Sequence, residues 1–512
     1  MTSTHVIAVF LLVSLTLIWV SKKIATRTKS AADFYLSQSD ISSVQNGVAM
    51  AGDYISGAAI FGISSLIFVT GCDGFFYAMS FVLGWTVKQI LITERARNIG
   101  TFTIADIISY RLNRGSVRAF TSLSTLAIIL IYLVVQFVAV AQIFQFVLGL
   151  GYIQALLFAG LSVVVFVSVG GFIASSRVQA VKIYALFFAL GLMCLVLLDA
   201  YNFSLSKIFD SANEMGGVRM ALPLGLLDNP MAQLSMVIGL VFGTSGLPHT
   251  TTRYFSVMNA KQARQSAMVA TAVIALFFLM ISLIGVIAVA RLHWDEIDGL
   301  GGVSTSKVFG VNMVILALAH AVAGSLFLGF VAAVTFFATL TVIAKLISTG
   351  ASSVSRDIYV HVIKRQRVEA MVETKVARLG ALLIGVLALC FSLAFEQQNL
   401  TFLVSLAFGV AASSNFPILL LSLYWRGLTS RGALVGGLVG LLSSLGLILA
   451  SKLIWVDVLK NPTALYPYDH PALFGMLLAF ATAWLFSITD QSERAKKERL
   501  AFDEQYIRSQ IG

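Results

Sequence analysis

Apolar residues run through this chain in stretches far longer than the face of a soluble helix. Residues 123–149 and 267–290 contain no charged side chain at all. Stretches of that kind cross about 30 Å of hydrocarbon as single helices. Thirteen such segments are predicted, near 5–20, 47–70, 75–93, 121–148, 152–171, 181–199, 232–251, 266–290, 324–347, 376–395, 400–424, 432–454 and 471–488. A β-barrel would alternate apolar and polar positions, and these segments do not. The pattern predicts an all-α polytopic membrane protein with about thirteen transmembrane helices.

Two segments break the apolar pattern. The second reads Asn46-Gly-Val-Ala-Met-Ala-Gly-Asp-Tyr-Ile-Ser-Gly-Ala-Ala-Ile-Phe-Gly62, with four glycines and the ionisable Asp53. The seventh reads Phe242-Gly-Thr-Ser-Gly-Leu-Pro-His-Thr-Thr-Thr-Arg253, where Pro248 removes an amide donor. Unwound backbone inside a membrane is tolerated where it lines a cavity, and it can offer carbonyls to cations and amides to anions. The two segments lie five apart in order, which points to a five-plus-five inverted repeat, 47–199 and 232–424. An extra helix at 1–20 precedes this ten-helix core, two helices (432–488) follow it, and a charged, helical tail (489–512) ends the chain.

Composition agrees with the pattern. Of 512 residues, 12% are charged and 58% hydrophobic, with a mean hydropathy of +0.89; soluble proteins carry roughly twice that share of charge. The net charge of +11 is not a nucleic-acid footprint, because no basic cluster is interleaved with aromatics. Instead, 27 Lys and Arg lie in one set of loops and six in the other. By the positive-inside rule the N-terminus is outside, the C-terminus cytoplasmic, and the protein is multi-pass in a plasma membrane, of the bacterial inner-membrane kind. No signal peptide is expected ahead of the first helix, and Cys72, Cys194 and Cys390 fit no zinc or disulfide spacing. No His-rich cluster, nucleophile elbow or paired carboxylates suggest an enzyme.

Several collinear motifs then carry a resemblance. They are Asp33-Phe-Tyr-Leu, Gly52-Asp-Tyr-Ile-Ser56, Gly170-Gly-Phe, Gly246-Leu-Pro-His with Arg253, and Glu94-Arg-Ala-Arg-Asn-Ile-Gly. Glu396-Gln-Gln-Asn, Ala412-Ser-Ser-Asn-Phe-Pro417, Tyr424-Trp-Arg-Gly-Leu-Thr-Ser-Arg-Gly and Ile507-Arg-Ser-Gln add to them. The chain resembles the sodium:solute symporter family along nearly its whole length, and within it the cation/acetate symporter (acetate permease) branch. The resemblance implies a LeuT-type bundle with flanking helices, and import of a small monocarboxylate, acetate first, coupled to Na+ or H+ by alternating access. It implies no cofactor beyond a bound Na+, no nucleic acid and no obligate protein partner. The alternatives are another solute of the same family (pyruvate, propionate, glycolate) or a non-transporting membrane sensor built on the same bundle. The short tail after Asp490 argues against the sensor.

The resemblance also places residues. The carbonyls of Gly52 and Ile55 would face Ala338, Thr341 and Val342 across a cation. Two departures mark this chain. Thr341 is followed by Val342 where paired hydroxyls are usual, and Ser175-Ser-Arg-Val-Gln179 lacks the acidic residue usual ahead of its Gln. Lys345, one turn beyond Thr341, then becomes a candidate to set its ammonium in the cation's place, since a desolvated lysine can give up its proton. The other expectation for Lys345 is that it snorkels to the boundary, as is expected of Lys88. Asp53 is a candidate proton or cation carrier, or a cap on the broken helix.

An acetate pocket needs donors for two oxygens and an apolar cup for a methyl. Ser56, Thr244 and Ser245 stand at the breaks, and Tyr132 and Gln136 form one polar stripe on the fourth segment. Pro248 and His249 are expected to fix a break, and Asn415 and Pro417 to gate the pocket. No intramembrane Arg is placed to clamp a carboxylate. One anion moving with one cation carries no net charge, so membrane potential would not drive it; a second cation would add about 2.3 kcal/mol per 100 mV. One cation per solute is expected, because one site is legible.

Overall fold

A computed structural model of the chain describes residues 4–25, 41–112, 114–170, 176–216, 220, 229–292, 311–364 and 368–511. The motifs at 33–36 and 171–172, and Ser175, lie outside the described residues. Regular structure among the described residues is helical, apart from an isolated bridge between Ser451 and Tyr466.

The chain begins with α1 (Thr4–Ala25), α2 (Ser43–Tyr54), α3 (Gly57–Thr70) and α4 (Cys72–Lys88), followed by the short α5 (Glu94–Ile99) and α6 (Ile104–Ser109). Then come α7 (Gly115–Leu148), α8 (Tyr152–Gly170), α9 (Ser176–Asp199) and α10 (Leu205–Gly216). Next are α11 (Pro230–Gly246), α12 (Pro248–Thr251), α13 (Ala260–Arg291) and α14 (Val314–Ser352). The last part holds α15 (Ala370–Ser392), α16 (Leu400–Ser413), α17 (Asn415–Tyr424), α18 (Ser430–Ala450), α19 (Ala472–Ile488) and α20 (Glu493–Ile511). Among the described residues, helix lies within each of the thirteen apolar segments. Nine helices of the described residues are long and apolar enough to span, or up to twelve when each bent pair is one span; Tyr152–Val167 is a shorter apolar helix.

Both expected breaks are present. α2 and α3 meet at 63°, because Ile55 and Ser56 adopt extended backbone (ψ 119° and 166°). Ser56 then caps α3, its Oγ accepting from the Ala59 amide at 3.4 Å. α11 and the segment from Pro248 to Ser256 meet at 41°, with Leu247 extended and Pro248 opening α12. A third irregularity lies in α14 at Ala323 and Gly324. Gly324 has φ +72°, the left-handed region that glycine enters without penalty. α2 packs against α9, α13 and α14, and α3 against α13, α14 and α16. The two breaks thus lie in the interior, while Leu12, Leu157, Leu195, Leu279, Leu383 and Leu477 point outward, as lipid-facing residues do.

The tail is more than a charged end. α19 and α20 meet at 110°, and α20 packs against α5 and α17. Arg111, in the turn between α6 and α7, donates to Gln505 Oε1 at 2.9 Å and to the Glu498 carbonyl at 3.2 Å. Glu498 itself accepts from the Ser430 amide at 2.8 Å, which ties α20 to the start of α18.

Just ahead of α19, His470 is buried between Tyr77 Oη (3.4 Å) and Ser405 Oγ (3.2 Å). Burial pushes its imidazole down to about 4, against about 6.5 in an unfolded chain. Between those values the unfolded chain binds the extra proton, so stability rises with pH through this window. It is fully present above about pH 6.5 and lost as pH falls toward 4, by up to about 3 kcal/mol. We expect the melting temperature to drop from pH 7 to pH 5, and His470→Asn to flatten that drop. Equal slopes for the two proteins would contradict this.

Candidate functional site at the helix breaks

The end of α2 leaves carbonyls without helical partners, and the half-helix dipole makes that end negative. The neighbouring α9 comes close because residue 52 is glycine: a Cβ there would lie 2.8 Å from Gln179 Cβ. Lys182 is three residues beyond Gln179, on the same face of α9. Its Nζ donates to the Gly52 carbonyl and the Ile55 carbonyl, each at 2.5 Å. Lys182 is fully buried. The carbonyls expected to face a cation therefore do meet a positive charge, and it belongs to the protein.

Sequence reasoning offered Lys345 as the candidate for that ammonium, beside the expectation that it snorkels. Lys345 Nζ donates to Thr252 Oγ1 at 2.8 Å, on the far side of the second break. Of the residues expected to complete a cation site, Ala338, Thr341 and Val342 are all fully buried in α14. The Thr341 hydroxyl donates to the Ala338 carbonyl at 2.8 Å, so that carbonyl is already engaged. Gly57, at the start of α3, lies so near α14 that a Cβ would fall 2.0 Å from Thr339 Oγ1.

Asp53 does not cap the break. It is fully buried and paired with Arg253, whose Nε donates to Oδ2 at 2.5 Å and Nη2 to Oδ1 at 3.0 Å. Arg253 Nη1 donates to Ser176 Oγ at 2.7 Å. An arginine does clamp a carboxylate inside the bundle, but the carboxylate is the protein's own. Lys88 does not snorkel either. It is fully buried, with Nζ donating to Thr250 Oγ1 at 2.5 Å and lying 5.5 Å from the Trp85 ring centroid.

The candidate solute residues gather around the same breaks. Gln136 Nε2 donates to Ser56 Oγ at 3.4 Å, joining the stripe on α7 to the first break. Tyr132 is buried, its ring 5.4 Å from that of His249 and 6.0 Å from Phe408. Thr244 Oγ1 lies 3.3 Å from Tyr54 Oη. Ser245 Oγ, Gln136 Oε1 and both ring nitrogens of His249 are buried without a hydrogen-bond partner among the described residues. Pro248 and His249 are both buried in α12. Asn415 Nδ2 donates to the Gly246 carbonyl at 3.1 Å, which satisfies a group freed by the second break, and Pro417 is buried in the first turn of α17.

Two broken helices packed face to face around buried charge is transporter architecture, and the family model that matches residues 34–440 is that of the sodium:solute symporter family. The chain belongs to the sodium:solute symporter family. Its fold is similar to that of a Na+-coupled sialic acid symporter in a substrate-bound outward-open state, with a TM-score of 0.72, 14% identity, and coverage of 96% of this chain and 98% of that one. It is also similar to a manganese transporter of Eremococcus coleocola, with a TM-score of 0.51, 13% identity, and coverage of 92% and 94%. At such identities the likeness concerns the fold. Membership of the symporter family makes the chain a multi-pass solute symporter.

Lys182 and Arg253 are the site residues that sequence reasoning missed. Both were counted with the basic loops. The signal available was weak: each stands within a few residues of a predicted segment end, and Arg253 follows three threonines that suggest a loop.

Proposed function

We propose that this symporter imports a small monocarboxylate, acetate first, together with a cation by alternating access. The observation that carries the reading is the balance of buried charge at the breaks. Asp53 is matched by Arg253, and Lys88, Lys182 and Lys345 add further positive charge within electrostatic reach of His249. Lys88 has hydroxyl and ring partners but no carboxylate among the described residues. Surplus positive charge in a low-dielectric interior is costly, and an anionic solute relieves it.

The unpartnered Ser245 hydroxyl and the N–H of the His249 ring, beside the Ser56 hydroxyl, supply donors for a carboxylate. Tyr132 and Phe408 supply the apolar wall for a short alkyl group. With Asp53 holding Arg253, no guanidinium is left to grip both oxygens, so binding is weak and size decides among substrates. The five-plus-five repeat organisation and a placement in a bacterial inner membrane belong to the same reading.

The test is counterflow of labelled acetate in proteoliposomes of the purified chain, against protein-free vesicles that report passive acetic acid flux. Saturable exchange, competed by propionate and pyruvate less well than by acetate, is expected. Ser245→Ala is expected to raise the half-saturating concentration about tenfold, the loss of one hydrogen bond to a charged group. Absence of saturable exchange with any of acetate, propionate, pyruvate and glycolate would overturn the reading.

A further inference from the structure

The resemblance to sodium:solute symporters assigns a metal cation to the carbonyls of Gly52 and Ile55, and the residues around those carbonyls do not suit one. Both carbonyls accept from Lys182 Nζ. The Ala338 carbonyl accepts from the Thr341 hydroxyl at 2.8 Å, and Val342 has no side-chain oxygen to contribute. We propose that Lys182 is the chain's own tethered cation: its ammonium stands between α2 and α9 where the family resemblance places a metal ion, and this site takes up no Na+.

Three physical arguments carry this. The end of α2 is the negative pole of a half-helix, with Asp53 one residue from Gly52, so the site selects for positive charge of any kind. An ammonium on the same chain is always present at high effective concentration, and Na+ would have to displace it without any tether of its own. The surroundings do not offer room for a second cation, because the nearby charges are already positive. Arg253 holds Asp53, and Lys345 stands on α14 at Thr252. On α13 the charged groups are Lys261, Arg264 and Arg291, all near its ends, and on α1 they are Lys22 and Lys23 in the last turn. None of these supplies a counter-charge to a metal ion. Glycine at 52 is part of the device: a Cβ there would lie 2.8 Å from Gln179 Cβ and would hold α9 too far off for Lys182 to reach.

The inference deepens the symporter reading but is tested without any solute. Binding of radiolabelled Na+ to the purified full-length chain in detergent is measured beside its melting temperature in NaCl and in choline chloride at equal ionic strength. The wild type is expected to show no saturable Na+ binding and equal melting temperatures in the two salts. Lys182→Ala is expected to melt lower and to become Na+-responsive, rising by several degrees in NaCl, while Lys182→Arg stays unresponsive because it keeps the charge. Lys182→Gln serves in place of the alanine variant if that one does not fold. Saturable Na+ binding by the wild type overturns the proposal, and so does a folded alanine or glutamine variant that remains blind to Na+. Neither result depends on acetate being the solute, so failure of the substrate reading shows itself separately, in the counterflow experiment.

Discussion

Asp53→Asn is expected to destabilise the protein by about 3–5 kcal/mol, the usual cost of removing one partner of a buried ion pair, and to abolish solute uptake. Asp53 is fully buried and receives two N–H groups from Arg253, at 2.5 and 3.0 Å. It is also the carboxylate that acts on Lys182 and Lys345. Neutralising it leaves a guanidinium and two ammonium groups in the interior without their counter-charge. The companion variant, Asp53→Asn with Arg253→Gln, removes the worst imbalance and is expected to recover part of the lost stability but not the uptake. The recovery is partial because the lysines remain. Thermal unfolding in detergent measures both variants, and a single variant within about 0.5 kcal/mol of wild type would contradict the assignment.

The second large effect is expected at Arg111. Its guanidinium is buried, and its five N–H donors reach six acceptors on two stretches of chain, 422–428 and 498–505. Nε reaches Gln505 Oε1 at 2.9 Å, and Nη1 reaches the carbonyls of Leu428, Glu498 and Arg426 at 3.0, 3.2 and 3.3 Å. Nη2 reaches the carbonyls of Trp425 and Ser422 at 3.3 and 3.5 Å. Arg111→Ala would strand several buried carbonyls, at about 1–3 kcal/mol for each that finds no substitute. The expected result is release of α20 from the bundle, seen as lost hydrogen-exchange protection in α20 while α7 keeps its own. Lysine should not rescue, because one ammonium cannot reproduce the fork. Unchanged protection of α20 in Arg111→Ala would contradict this role.

The fold was legible because the apolar segments are long and the breaks carry their own chemistry. Four glycines around Asp53, and Pro248 after Gly246, announce backbone that leaves the helix, and both bends lie where those residues stand. The pairing of Gln136 with Ser56 was half legible, since the stripe on α7 marks a polar face without naming its partner. The charges were the illegible part. Lys182 lies at the edge of its predicted segment and its partners are 127 and 130 residues away in sequence. Periodicity gives a residue's face but not its depth, and depth here depends on how closely Gly52 lets α9 approach. Arg253 was misread for a related reason: the chain bends by 41° before it, and a short 3-10 turn at Thr252–Ser256 keeps it inside. Lys345 was singled out because the expected cation site named α14 and not α9, and it is Lys182 on α9 that reaches the two carbonyls.

The reading proposed here is a sodium-symporter frame whose cation place is held by Lys182 and whose solute is an anion. The measurement that bears on this most directly is uptake of labelled acetate into proteoliposomes, with a Na+ gradient and an inside-alkaline pH gradient imposed separately, each against protein-free vesicles. Saturable uptake above the protein-free control that follows the pH gradient and ignores Na+ is the predicted result. Saturable uptake driven by the Na+ gradient and absent without Na+ would contradict it.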